Sequence, residues 1–332
     1  MKYIAWTKYG PPEVLKLEEV EKPVPKDDEV LIKIYATTVT AGDCELRGNQ
    51  FPIVFKIILR IMFGVFKPKG KVLGQELSGV IESVGKNVTM FKKGDEVFGS
   101  TGFDLGAYSE YKCMLETPKT GSLTFKPVNM SFEEAAAVTI GGLEALHFLE
   151  NANVKPGKKV LINGAGGSIG TSVIQLVKHN GAEVTVVDRK DKLDFLKDLG
   201  ADKVIDYTQE DFTKGKESYD VIFDVIGKSH FSRSIDLLND NGTYIIANPS
   251  NTQKRRGRKI TRKTNKTVLF DSANHKLEDL QHLKRIIEEG HMKTIIDKCL
   301  PLDKIVEAHR YVEAGNKKGN LVITISHGET GI

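Results

Sequence analysis

Along the first 124 residues, apolar and polar positions alternate in short bursts. EVLIKIYATTV (29–39) and SGVIESVG (78–85) carry β-branched and apolar residues bounded by Gly, Pro and Asp, so they predict strands. The texture changes near residue 130. SFEEAAAVTIGGLEALHFLENA (131–152) predicts a helix, with Ser131 as N-cap and Glu134 completing a capping box. Short apolar runs then alternate with helical stretches: KVLING, EVTVVD, KVIDY, YDVIFDVIG, GTYIIANPS and KTVLFDS. Such alternation predicts a parallel, doubly wound sheet. Further on, LEDLQHLKRIIEEG places Leu277, Leu280, Leu283 and Ile286 on one helical face, and GNLVITIS predicts a strand near the end.

The chain has 332 residues, enough for two domains with separate cores. Hydrophobic residues make up 40% and charged residues 28%, which excludes a disordered chain. A net charge of +4 gives no general argument for nucleic acid as a partner. Cys44, Cys113 and Cys299 are far apart, form no CxxC pair and make no Cys/His cluster of zinc spacing. A cytoplasmic location fits, and MKYIAWTKYG lacks the apolar core of a signal peptide.

VLINGAGGSIGTSVIQLVK (160–178) is the densest glycine stretch. It reads as strand, turn and helix, with Ile169, Val173, Leu176 and Val177 on one helical face. Gly164, Gly166, Gly167 and Gly170 leave the turn without Cβ atoms, so a pyrophosphate can approach the amides of the helix start, including those of Ser168 and Ile169. No Gly-Lys-Ser/Thr follows, so this is not a P-loop. Asp188 ends the next strand, where a carboxylate can hold a ribose diol. A dinucleotide is therefore expected here, and a redox carrier first among dinucleotides.

Several stretches in order resemble the medium-chain dehydrogenase/reductase superfamily, in its zinc-free quinone oxidoreductase branch. They are GPPEVLKLEEVEKPVPKDDEVLIKI, VLGQELSGVIESVGKNVTMFKKGDEVFG, EEAAAVTIGGLEAL, LGADKVIDY, DVIFDVIG and KKGNLVITI. The resemblance implies an α/β chain with a GroES-like, β-rich catalytic domain (1–124 and 273–332) around a Rossmann domain (125–272), and a homodimer. It also implies a hydride transfer to a quinone or an α,β-unsaturated carbonyl. Zinc relatives carry Cys, His and Cys where this chain has Thr40, Gln75 and about Ile140, which cannot make a zinc site. The position of the alcohol dehydrogenases' hydroxyl relay reads Gly42. Thr40 is the candidate substrate or nicotinamide contact and Asp43 the candidate pocket organiser; Arg47 also matches, whereas Thr40 and Ala41 replace the usual Asn and Pro, and Glu45 replaces a tyrosine. Glu45 reads as a surface carboxylate and Cys44 as a small buried side chain. Gly227 and Asn320, in the later landmarks, join the implied cofactor set.

For the cofactor, Asp188 suits the diol of NADH, while Arg189, Lys192 and Tyr207 suit the 2′-phosphate of NADPH. The choice stays open on the residues, and the resemblance leans to NADPH.

Two stretches stand apart. FPIVFKIILRIMFGVF (51–66) is about two residues short of the roughly 18 needed to span a bilayer, and Lys56 and Arg60 interrupt it. Phe51, Phe55, Ile58, Met62 and Phe66 share one side of a helix. Barrel packing, a lid over an apolar substrate and peripheral membrane contact are its three readings. KRRGRKITRKTNK (254–266) has eight basic residues in thirteen and reads as a solvated loop, with nucleic acid not the expected partner. The rival functions are a dehydrogenase of another alcohol or carbonyl, and a binding protein in which dinucleotide tunes RNA or membrane association.

Overall fold

In a computed structural model, residues 1–69, 72–247, 249–271 and 273–327 are described. Residues 328–332, the end of the expected catalytic segment, lie outside them. The chain forms two compact units: Met1–Ile140 with Asn274–Glu288 and Thr294–Ile332, and Gly141–Ala273 with Glu289–Lys293. The first crossing lies inside a long helix, whereas the sequence placed it near residue 124.

The first unit opens with β1 (Lys2–Trp6) and β2 (Leu15–Glu19), an antiparallel pair. Then come β3 (Glu29–Thr38), α1 (Ala41–Gly48), α2 (Ile53–Phe63), β4 (Glu76–Val84), β5 (Glu96–Ser100), β6 (Tyr111–Leu115) and β7 (Ser122–Phe125). Helix α3 (Phe132–Ala152) begins as expected: Ser131 N–H donates to Glu134 at 2.9 Å, and Glu134 N–H donates to the Ser131 hydroxyl at 3.2 Å.

The second unit holds β8 (Lys159–Asn163), α4 (Ser168–His179), β9 (Glu183–Asp188), α5 (Lys190–Asp198), β10 (Lys203–Asp206), β11 (Tyr219–Asp224), α6 (Phe231–Asp236), β12 (Leu238–Ile246), α7 (Asn251–Lys263) and β13 (Thr267–Leu269). Its strands run parallel in the order β10-β9-β8-β11-β12-β13. Central strands buried on both faces need continuous apolar runs, and Val160, Leu161 and Ile162 of β8 are all buried. The strand order reverses between β8 and β11, and such a switch point opens a crevice at the strands' carboxyl ends.

The chain then returns to the first unit through α8 (Leu277–Glu288), β14 (Ile296–Pro301), α9 (Ile305–Glu313) and β15 (Asn320–Thr324). The order there is β14-β15-β3-β4-β5-β7, with β6 also on β3. β15 pairs antiparallel with Ala36–Thr38 and β6 with Glu29–Lys33, so both ends of the chain build one sheet.

Two stretches differ from expectation. The basic run is mostly helix, not loop. Ser250 and Gln253 form a capping box, and Gly257 lets α7 lie on β13, since a Cβ there would come within 2.7 Å of Val268. The apolar stretch divides by face. Leu59 and Phe63 of α2 pack into the core with Ile4 and Trp6, while Ile53, Phe55, Ile57, Ile58, Ile61, Met62, Val65 and Phe66 remain exposed.

Candidate active site

In the second unit the glycine turn joins β8 to α4. Gly164 has a φ of +85°, a left-handed conformation that favours glycine, and a Cβ on it would meet Ile226 at 2.4 Å. Gly170 lies against the Ala165 backbone, 2.5 Å from where its Cβ would stand, so helix and turn are pressed together. Gly167 is the N-cap of α4, in extended backbone, with open space where a side chain would go. The first amides of α4 have no intrahelical acceptor and face that space, which suits an anion.

Asp188 organises this turn. Its carboxylate accepts from Gly166 N–H at 2.7 Å and from Arg189 N–H at 2.8 Å. A carboxylate has about four acceptor positions, so both oxygens retain capacity for a ribose diol. The Lys192 stem runs past Gly166, whose Cβ would stand 2.6 Å from Lys192 Cδ. Arg189 makes a two-pronged contact with Asp191 at 3.1 and 3.2 Å. Tyr207 N–H donates to the Asp188 carbonyl at 3.2 Å, which places its half-exposed ring beside the turn. Asp188 thus brings together the glycine turn, Arg189, Lys192 and Tyr207.

Asp224, at the end of β11, escaped the sequence reading. It is fully buried and accepts from Asn163, Tyr244, Gly227 N–H and both donors of Ser229, at 2.6–3.1 Å. Those bonds hold Gly227, at φ +71°, and its loop beside the glycine turn. A cavity of 720 Å³ lies there, with Asn163, Tyr207, Ile226, Lys228, His230 and Arg233 among its walls. Gly141 was also missed: a Cβ on it would meet the Ser168 hydroxyl at 2.3 Å. The only sequence signals were a carboxylate closing an apolar strand and a glycine pair inside an Ala-rich helix.

The other predicted residues lie in the first unit. Thr40 is the N-cap of α1. Its hydroxyl donates to Asp43 Oδ2 at 2.7 Å and accepts from Asp43 N–H at 3.0 Å, and its N–H donates to the same oxygen at 2.9 Å. Gly74 N–H donates to the second oxygen at 3.3 Å. Asp43 is buried, and desolvation pushes its carboxyl up against these stabilising bonds. The Thr40 hydroxyl proton is therefore committed, and one lone pair remains to accept from a ligand.

Gln75 faces the same spot. A Cβ on Gly42 would lie 3.6 Å from Thr40 Oγ1 and 3.7 Å from Gln75 Oε1, so Thr40, Gly42 and Gln75 converge. Ile140 joins through Glu76, whose Oε1 accepts from Ile140 N–H at 2.6 Å while Oε2 accepts from the Thr38 hydroxyl. Burial pushes Glu76 up to about 7. Thr40, Gln75 and Ile140 offer neither thiolate nor imidazole, so this donor set does not fit zinc. No group of three or more His, Cys, Asp or Glu placed to hold a metal occurs among the described residues.

Asn320 lies in the first unit. It is buried, and its side chain donates to the Ile295 carbonyl at 3.1 Å. The Leu321 carbonyl accepts from Val39 N–H, so Asn320 belongs with the Thr40 region. Arg47 is buried and ion-paired with Glu313. Cys44 is buried, its Sγ 3.3 Å from His309 Nδ1, and burial pushes His309 down to about 3, so that imidazole stays neutral. Glu45 is half-buried, and burial raises its carboxyl.

The discontinuous β-rich unit, the parallel sheet and the glycine turn together define a dinucleotide-dependent dehydrogenase or reductase. The chain belongs to the medium-chain dehydrogenase/reductase superfamily. Residues 26–119 match the alcohol dehydrogenase GroES-like domain and residues 199–323 the zinc-binding dehydrogenase family. The chain is 33% identical to a 2-methylene-furan-3-one reductase of Solanum lycopersicum, over 97% of this chain and 79% of that protein. It is 29% identical to a chloroplastic NADPH-dependent alkenal/one oxidoreductase of Arabidopsis thaliana, with the same coverage of 97% and 79%. A solved quinone oxidoreductase from Coxiella burnetii superposes with a TM-score of 0.86 at 30% identity, covering 98% of this chain and 99% of that one. The zinc-free donor set fits the quinone oxidoreductase branch.

Proposed function

We propose that this chain is an NAD(P)H-dependent oxidoreductase of quinones or α,β-unsaturated carbonyls. The observation that carries the reading is the meeting of Thr40 and Gln75 over Gly42 on a scaffold that also carries the dinucleotide turn. When bound, the nicotinamide supplies a hydride. Gln75 presents amide N–H donors to the oxygen on which charge develops. Thr40 would accept from the carboxamide N–H of the nicotinamide through its free lone pair, with its own proton held by Asp43. In an enone, the electron pair displaced by hydride arriving at the β-carbon moves to the oxygen as an enolate, which water then protonates at the α-carbon. A Lewis acid would favour loss of the proton from a simple alcohol, and Thr40, Gln75 and Ile140 cannot hold one.

NADPH as the preferred carrier is supported by Arg189, directly after β9, by Lys192 in the first turn of α5, and by the name of the Arabidopsis relative. A cytoplasmic homodimer completes the proposal, supported by three free cysteines and by the family resemblance.

The test is a panel of a quinone, an enal, an enone and a primary alcohol, each with both nicotinamides and with a chelator present. NAD(P)H oxidation is expected with the first three, faster with NADPH, and no turnover with the alcohol. Gln75→Met should lower kcat by about a hundredfold or more with an unchanged melting temperature. Alcohol oxidation that the chelator abolishes would overturn the proposal.

A further inference from the structure

The outward face of α2 is unlike the rest of the surface. Ile53, Phe55, Ile57, Ile58, Ile61 and Met62 cover it without one polar side chain, and Ile61 is 72% exposed and Ile53 76%. Phe66, just beyond the helix, is 93% exposed. A contiguous apolar patch of this kind marks a surface that something covers. The helix is fixed in place rather than hinged. Leu59 and Phe63 are buried in the core, the Arg60 guanidinium lies 5.0 Å over the Tyr9 ring, and the Tyr9 hydroxyl donates to the Gly64 carbonyl at 2.8 Å. With its amide oxygen turned toward Arg60, Asn49 accepts from Nε at 2.8 Å.

Charge identifies what covers the face. Between Glu45 and Glu76 the sequence has no carboxylate, yet it carries Arg47, Lys56, Arg60, Lys67, Lys69 and Lys71. Arg47 is buried and paired with Glu313. Lys67 and Lys69 are exposed directly after the patch, and Lys56 and Arg60 lie at its margin. An apolar helix face flanked along the chain by cations and by no carboxylate fits the boundary between acyl chains and anionic headgroups. A second copy fits it poorly, because two-fold pairing sets this cationic border against itself. Spanning is not at issue, since no helix among the described residues is long and apolar enough to cross a membrane.

We infer that the outward face of α2, with Lys67 and Lys69, is a monotopic docking surface for an anionic lipid bilayer. The inference uses none of the residues given a role in the reaction, so it does not depend on which acceptor is reduced.

Co-sedimentation of the whole chain with vesicles of equal phosphatidylglycerol and phosphatidylcholine, and of phosphatidylcholine alone, tests it. Binding is expected on the anionic vesicles and much weaker on the neutral ones. Ile57→Ser with Ile61→Ser should lower the partition constant by at least about a hundredfold. Lys67→Glu with Lys69→Glu should lower it about tenfold or more on anionic vesicles only. Melting temperature and turnover of a water-soluble acceptor should not move in either variant. Should the serine pair impair folding, Ile53→Ser alone carries the apolar test. Absence of wild-type binding, or equal binding by the serine variants, would overturn the inference. So would loss of a dimer in the serine pair without vesicle binding, since a second copy would then cover the face. A raised KM for the soluble acceptor without vesicle binding would reassign the helix as a lid.

Discussion

Glu76 has no water to ionise into. Its oxygens are held by the Thr38 hydroxyl and Ile140 N–H, burial raises its carboxyl to about 7, and the nearby Asp43 pushes in the same direction. A folded-state value above the ordinary 4.5 means that the native protein binds more protons than the unfolded chain between those two values. This contribution to stability is fully present below about pH 4.5 and is lost as pH rises through about 7. Glu76→Gln removes the titration and keeps an acceptor for Ile140. Its stability relative to wild type should climb across that window by up to about 3 kcal/mol, then stay level. Urea denaturation at a series of pH values checks this, and a difference independent of pH would refute it. Neither Glu76 nor Asp224 stood out in the sequence. A carboxylate beside an apolar strand looks the same whether it faces water or core, and only the fold supplies the Ile140 amide or the Ser229 hydroxyl that makes burial tolerable.

At the scale of elements, the β8–turn–α4 unit was legible because backbone geometry forces its composition. Gly164 needs a left-handed φ and Gly170 a side chain of zero width, and both demands leave glycine in the text. Two substitutions should separate binding from packing. Gly167→Asp places a favourable N-cap residue into open space, so stability should hold or rise by a few tenths of a kcal/mol. Its carboxylate would occupy the anion's place, and dinucleotide affinity by calorimetry should fall about a hundredfold or more. Gly170→Ala gains helix propensity but drives a methyl onto the Ala165 backbone, so it should lose about 1–3 kcal/mol. Unchanged affinity in the first variant would move the pyrophosphate elsewhere. The basic run was harder to read. Eight cations mask a helix whose amphipathic signal rests on Gly257 and Ile260, and the deciding features are the Ser250–Gln253 capping box and the contact with Val268. The apolar stretch likewise gave a helix but not the division of its two faces. That division depends on the positions of Trp6 and Tyr9, more than fifty residues before the Phe63 and Arg60 they contact.

For the molecule as a whole, the two units carry separable tasks. The glycine turn, Asp188 and Asp224 all belong to the second unit, and Thr40, Gln75 and Glu76 to the first. Ile34 is fully buried in β3 of the first unit. Ile34→Ala should cost about 2–5 kcal/mol of that unit's stability and leave the dinucleotide Kd within about threefold. Matching losses in melting temperature and Kd would show that the tasks are not separable. The nested arrangement was implied by the family resemblance and not by the hydrophobic pattern, which after about residue 273 reads only as helix, helix and strand.

The pairing of β15 with Ala36–Thr38 also sets a timetable for the ribosome. The edge offered by these three residues emerges early, and its partner Val322 is made nearly three hundred residues later. At about 5–20 residues per second, that edge waits roughly 15–60 s for its strand. The parallel sheet has all of its strands by Leu269, so it can close while the older half of the chain is still unfinished. For that interval the nascent protein carries an open strand edge, the kind of surface that recruits chaperones or pairs with a neighbouring chain. The unit that is begun first is completed last.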